Sequence, residues 1–290
     1  MNEWSAQAKG LTLAIVGILI LTPDALLVRL ISVDQWSLLF WRGLFTFVTL
    51  ALYLMWKHKC GPVKPFSTLS RRSLLIAALF GFNTILFVIS IRHTAVANTL
   101  VILSITPIFA ATLSSFFWRE HAPLRTWVTA VVGVACIAAI MGEGLGQATF
   151  IGDGAALGVA LLLAVILTML RHGPNQDPVA IVGLGGLFAA GAVVGAAAPL
   201  SLMGMDWIYV VILGGLVVPV SFALTTQAPK YLPAPEVSLI FLLETVLGPM
   251  WVWLVIDEAP PELTLLGGGI LIGALVVHTL LGLRPKRTTA

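Results

Sequence analysis

RHTAVANTLVILSITPIFAATLSSFFWREHAP (92–123) lies without a gap on KYLPAPEVSLIFLLETVLGPMWVWLVIDEAPP (230–261), at an offset of 138 residues. Arg92 then meets Lys230, Glu120 meets Glu258 and Pro123 meets Pro261. Each stretch reads as a cationic start, a long apolar helix, an acidic end and a proline that marks the next element. Identity between the two is low, so the shared pattern carries the comparison. It points to a duplicated unit.

The surroundings of these stretches are just as apolar. Of 290 residues, 59% are hydrophobic and 10% are charged, with a mean hydropathy of +1.02. An ordinary soluble domain has about 45–50% apolar and about 25% charged residues, so most of this surface faces lipid. The formal charge of +3 sits in short connections, among them Lys57, Lys59, Lys64, Arg71 and Arg72. That distribution suits cytoplasmic loops rather than a nucleic-acid footprint, and no nucleic-acid partner is expected. Two cysteines, Cys60 and Cys136, leave no disulfide framework or Cys-based metal site. The apolar run behind MNEWSAQAKG is long and has no A-x-A site after it, so it reads as a first span rather than a cleaved signal.

A helix needs about 20 apolar residues to cross the hydrocarbon. Ten spans fit, at 10–31, 36–56, 73–92, 95–118, 124–141, 152–171, 178–199, 206–228, 233–256 and 262–283. The expected fold is therefore an all-α polytopic membrane protein. If both termini are cytoplasmic, Lys9, the five cations from Lys57 to Arg72, Arg119, Arg125, Arg171, Lys230, Arg284, Lys286 and Arg287 lie inside. These are thirteen of the sixteen Lys and Arg, which by the positive-inside rule sets the orientation. Arg29 and Arg92 fall at outer ends and Arg42 inside span two. Trp36, Trp41, Trp56, Trp118, Trp207 and Trp253 fall near span ends, where indole rings anchor at headgroup level.

Five spans per unit is an odd number, so the second unit enters the membrane upside down, with Glu120 cytoplasmic and Glu258 external. The expected organisation is two inverted five-helix repeats, residues 1–147 and 148–290. A two-fold axis in the membrane plane then places a central site near the midplane. The VGLGGLFAAGAVVGAAAPL run of span seven (182–200) has the low bulk of a buried helix. Gly154 and Gly158, Gly191 and Gly195, and Gly269 and Gly273 fit small-xxx-small packing.

LTPDALLVRL (21–30), LLFWRGLF (38–45), ISIRHTAVANTLVILSITPIFAATLSSFFWRE (89–120) and VIDEAP (255–260) resemble the drug/metabolite transporter superfamily. Within it the chain looks similar to ten-helix exporters built of two EamA-type repeats, closest to those of aromatic and other neutral amino acids. The resemblance implies a ten-helix basket in the cytoplasmic (inner) membrane with both termini inside. Spans one to four and six to nine would surround a cavity, with spans five and ten peripheral and open to homodimer contact. The second repeat has LGGLF (184–188) where the first has Arg42-Gly43, so a role of Arg42 is not duplicated.

Charges inside spans are costly and need a partner or a wet cavity. Asp24 and Arg42 come to lie at matching depths, ~10 Å from the outer surface at 1.5 Å per residue. That suggests an ion pair, either a gate or a helix-packing device. Pro23 would loosen the helix beside it. Glu244, near the middle of span nine and matched by the repeat to Thr106, has no basic residue at its depth. It suits proton coupling, an amino-group partner, or a neutral acid bonded to a neighbouring helix.

Asn83 and Phe87 on span three pair at the same offset with Ser221 and Thr225 on span eight. Ser90 extends the span-three stripe, Thr99 and Thr106 lie seven apart on span four, and Ser238, Phe241 and Thr245 share a broad face on span nine. Asn83, Phe87, Thr99, Thr106, Ser221, Thr225, Phe241 and Glu244 are the expected substrate cavity, apolar and aromatic with a few polar groups. Hydroxyls that merely bond their own helix are the competing reading. His278 is the intramembrane histidine, near the end of span ten, and reads as a packing residue.

No G-x-x-x-x-G-K-[ST], H-E-x-x-H or G-x-S-x-G occurs, so neither a nucleotide-driven pump nor an intramembrane enzyme is expected, and no cofactor or metal. The expected function is secondary transport, exporting small neutral or aromatic amino acids and related metabolites by alternating access. A passive channel or facilitator is the alternative.

Overall fold

The computed structural model describes residues 3–59, 61, 64–67, 69–94, 96–119, 123–141, 150–173 and 177–256, with single helical positions between 266 and 277. Every regular element among them is helical. Among the described residues six helices are long and apolar enough to cross a membrane: Ala6–Leu30, Gln35–His58, Arg71–His93, Phe150–Arg171, Met205–Lys230 and Ala234–Ile256. Leu124–Met141 and Pro178–Val193 are shorter. Span four is divided into Val96–Leu103 and Thr106–Trp118. Glu120, Glu258, His121, His278, the cations from Arg284 onward and the boundary at 147/148 lie outside the described residues, as does most of span ten.

Three spans differ from the continuous helices expected. Span one turns at Thr22-Pro23 and restarts as Asp24–Leu30, because proline has no N–H to give and its ring crowds the preceding turn. Span four turns at Ser104-Ile105, just before Pro107. The Leu103 carbonyl, which a residue at 107 would ordinarily bond, accepts the Thr106 hydroxyl at 2.5 Å instead. Span seven stops at Val193, short of the expected 199, and the chain leaves through a turn into the short helix Pro199–Ser201.

Each end of the bundle is tied by polar contacts. Span two begins at Asp34, whose Oδ1 accepts the Trp36 and Ser37 amides at 2.9 and 3.0 Å. Partial burial pushes the Asp34 carboxyl up, but the Ser37 and Trp36 hydrogen bonds outweigh it and hold the group below its usual range. The cap therefore stabilises at neutral pH, and that contribution is lost as pH falls through the depressed pKa. Asp34→Ala is expected to cost about 1 kcal/mol. Thermal unfolding in detergent should show a difference from the native chain at pH 7 that shrinks in acid. An equal difference at every pH would count against the cap.

Spans two and seven pack along most of their length, and span three lies against both seven and six. Exchanging one with six, two with seven, three with eight and four with nine maps these contacts onto others that are present. Three against six becomes eight against one, three against seven becomes eight against two, and four against six becomes nine against one. Two against seven and four against nine map onto themselves. Span five packs chiefly on four and nine.

Glycines set the closest crossings. A Cβ on Gly186 would lie 2.7 Å from the Gly43 carbonyl, and one on Gly43 would strike the Gly186 carbonyl. Gly81 meets the Gly185 carbonyl and Gly214 meets the backbone of Arg42 in the same way. Of the pairs expected from small-xxx-small spacing, Gly158 alone meets a neighbour, Leu86. Gly154, Gly191, Gly195, Gly269 and Gly273 meet no neighbour among the described residues. Spacing places two small residues on one face, but the crossing helix chooses the face.

Candidate functional site

Asp24 follows the break in span one, and Arg42 lies about two turns into span two. Arg42 Nη1 and Nη2 donate to Asp24 Oδ1 and Oδ2 at 2.7 and 2.8 Å. Both residues are 2% exposed. A two-pronged pair of this kind is the strong form of the interaction, because two parallel bonds fix both planes. The guanidinium also lies 5.5 Å from the Phe87 ring centre. Its Nε is buried and finds no acceptor among the described residues. Gly214 packing on the Arg42 backbone, and Thr46 Oγ1 donating to the Arg42 carbonyl at 2.8 Å, hold the base of this side chain.

Glu244 sits mid-way along span nine and is 4% exposed. Span nine packs on the Asp24–Leu30 segment of span one. Thr106, Leu103 and Leu100 from span four, Leu163 from span six and Phe241, Leu242 and Thr245 from span nine surround a recess with it. The recess has a volume of about 10 Å³, room for roughly one water molecule. An amino acid does not fit into this recess in this conformation. Trp251, two turns further along span nine, donates its Nε1–H to Thr22 Oγ1 at 2.8 Å. That contact joins span nine to the break in span one.

The remaining expected residues divide. Thr106, Phe241 and Glu244 line one recess, and Phe87 faces Arg42. Asn83, one turn from Phe87, is buried with an Oδ1 that has no partner among the described residues. Ser221 and Thr225 lie elsewhere: they pack on Gly17 of span one and donate to the carbonyls of Val218 and Ser221, each at 3.0 Å. Ser238 and Thr245 bond their own helix similarly. Ser90 and Thr99 bond each other at 2.7 Å and link spans three and four. Hydroxyls satisfied by the turn before them can still accept a bond, but they do not on that account form a cavity.

Sequence reasoning missed the polar closure where residues 31–34 lie. Asp206 Oδ2 accepts the Ser32 hydroxyl at 2.6 Å and its Oδ1 the Ser32 amide at 3.1 Å. Arg92 reaches the carbonyls of Ile31 and Val33, and Arg29 that of Thr94. At the opposite end Arg125 meets Glu236 at 3.1 Å. Trp251 carries a signal in its spacing: it lies seven residues from Glu244, hence on the same helix face.

The helical bundle buries an ion pair and a further carboxyl group, and comparison with known proteins gives it a family. The profile of the EamA-like transporter family matches residues 8–142 and 150–280. The chain belongs to that family. As a member of the drug/metabolite transporter superfamily it is a multi-pass membrane transporter of small molecules, and the two matched segments cover nearly all of it. A solved crystal structure aligns with 100% of this chain and 100% of its own, at a TM-score of 0.78 and 18% identity. That likeness is one of fold alone. No curated protein sequence matches the chain.

Proposed function

We propose that this transporter is a secondary carrier that exports small neutral or aromatic amino acids from the cytoplasm by alternating access. Its two inverted halves, residues 1–147 and 148–290, would rock about the Asp24, Arg42 and Glu244 centre. The observation that carries the reading is this buried trio beside a recess that holds about one water, flanked by the breaks in spans one and four. Breaks at Thr22-Pro23 and Ser104-Ile105 let the short segments Asp24–Leu30 and Val96–Leu103 move without unpacking the rest of their spans. Symmetric helix contacts between the halves support two near-equal packings.

Orientation follows the charges. Lys9, Lys57, Lys59, Arg71, Arg72, Arg119, Arg125, Arg171 and Lys230 gather at one end of the bundle and Arg29 and Arg92 at the other. This supports an inner-membrane protein with both termini cytoplasmic.

The test is purified protein in liposomes, assayed with labelled neutral, aromatic, acidic and basic amino acids, with and without a pH gradient. Saturable uptake of a neutral amino acid, accelerated by the same substrate inside the vesicle, is expected. Flux linear in concentration would make the protein a channel, and no uptake of any neutral amino acid would remove the substrate assignment.

A further inference from the structure

We infer that the substrate is held as a zwitterion at both ends, its ammonium by Glu244 and its carboxylate by the Nε–H of Arg42. This rests on the amino-acid reading above and specifies how that site would recognise its substrate.

Counting charges and hydrogen bonds leads to it. The centre holds two carboxyl groups, Asp24 and Glu244, and one guanidinium, Arg42, and span nine, which carries Glu244, packs on the Asp24–Leu30 segment. Asp24 and Arg42 answer each other through two hydrogen bonds. Glu244, by contrast, has no hydrogen-bond partner among the described residues, although it is 4% exposed. A buried carboxylate needs a compensating cation and donors. The guanidinium has the complementary deficit, since its buried Nε–H lacks an acceptor and a donor left unmatched away from water is costly.

The centre is thus short of one cationic donor and one acceptor. A proton or a metal ion would supply only the first, and an inorganic anion only the second. An α-amino acid supplies both in one molecule and leaves the net charge of the centre unchanged. Aromatic surface is at hand on each side: Phe87 under the guanidinium and Phe241 in the wall of the Glu244 recess. Arg42 can serve the carboxylate without leaving Asp24, because the pair uses only Nη1 and Nη2.

The experiment is scintillation-proximity binding of labelled L-phenylalanine to the full chain in detergent, competed by L-phenylalanine, by L-phenylalaninamide, which lacks the carboxylate, and by 3-phenylpropionate, which lacks the ammonium. Each single-ended analogue is expected to compete at least about tenfold more weakly than phenylalanine. Glu244→Gln should weaken phenylalanine binding by about tenfold and bring 3-phenylpropionate to within about threefold of it. Glu244→Asp should keep the native order. Should Glu244→Gln fail to give a monodisperse protein, the analogue series on the native chain decides alone. An analogue as effective as phenylalanine, or an unchanged preference in folded Glu244→Gln, overturns the inference and leaves the amino-acid reading standing. Absence of binding by any neutral amino acid overturns both.

Discussion

Asp24→Asn is expected to cost the folded protein about 3–5 kcal/mol, because it leaves the Arg42 guanidinium charged, buried and without its partner. The substitution keeps the size of the side chain, removes its charge and turns one of its two acceptors into a donor that faces the guanidinium. The loss therefore measures the stranded cation rather than a cavity. In the native chain both of these bonds, of 2.7 and 2.8 Å, go from Arg42 to Asp24.

Removing both charges tests the explanation. Taking both ions out together avoids the uncompensated charge, so Asp24→Asn with Arg42→Met should recover most of the stability lost by Asp24→Asn alone. Fluorescence-detected size exclusion and thermal unfolding in detergent read this directly. If Asp24→Asn melted like the native chain and transported like it, the pair would be neither a packing device nor part of the path.

The second large effect is at the crossing of spans two and seven. Gly43→Ala places a methyl group on the Gly186 carbonyl and beside the Ala190 amide. Both are backbone atoms of a packed helix and cannot swing aside. Overpacking of this kind costs about 1–3 kcal/mol, and the shift would be passed to Arg42, one residue away. Gly154→Ala serves as the opposite case. It also lies inside a helix, but no atom of the described residues lies within 4 Å of its added Cβ. Alanine there should raise stability by roughly 0.5–1 kcal/mol through the backbone freedom that glycine loses on folding. A melting temperature that moved the same way in both variants would remove the crossing as the cause.

Much of the bundle is legible in the amino-acid order. Charge, proline and apolar run length place nearly every described span within a few residues, and Leu124–Met141 coincides with the expected 124–141. Matching depths on adjacent spans bring Asp24 and Arg42 to notice, since an unpaired charge has nowhere cheap to go in lipid. The breaks are less visible. Pro23 and Pro107 announce lost donors, but whether a helix bends or stops depends on which group takes the released carbonyl, and at Leu103 it is the Thr106 hydroxyl.

The cavity residues show the same division. Ser221 and Thr225 have the polarity expected of a cavity face, yet the crossing of spans eight and one turns them onto Gly17. Leu100, Leu163 and Trp251 look like ordinary apolar or anchoring residues until tertiary packing brings the first two to the Glu244 recess and the third to Thr22.

What the amino-acid order determined by itself is the set of spans, the charge asymmetry between their ends and the few buried charges, because the bilayer screens each segment one at a time for length, polarity and charge. What only the tertiary structure decided is which glycines touch, which hydroxyls bond across helices and which residues surround Glu244. Those depend on the angle and register at which helices cross, and many near-equivalent faces of a uniformly apolar helix could have met.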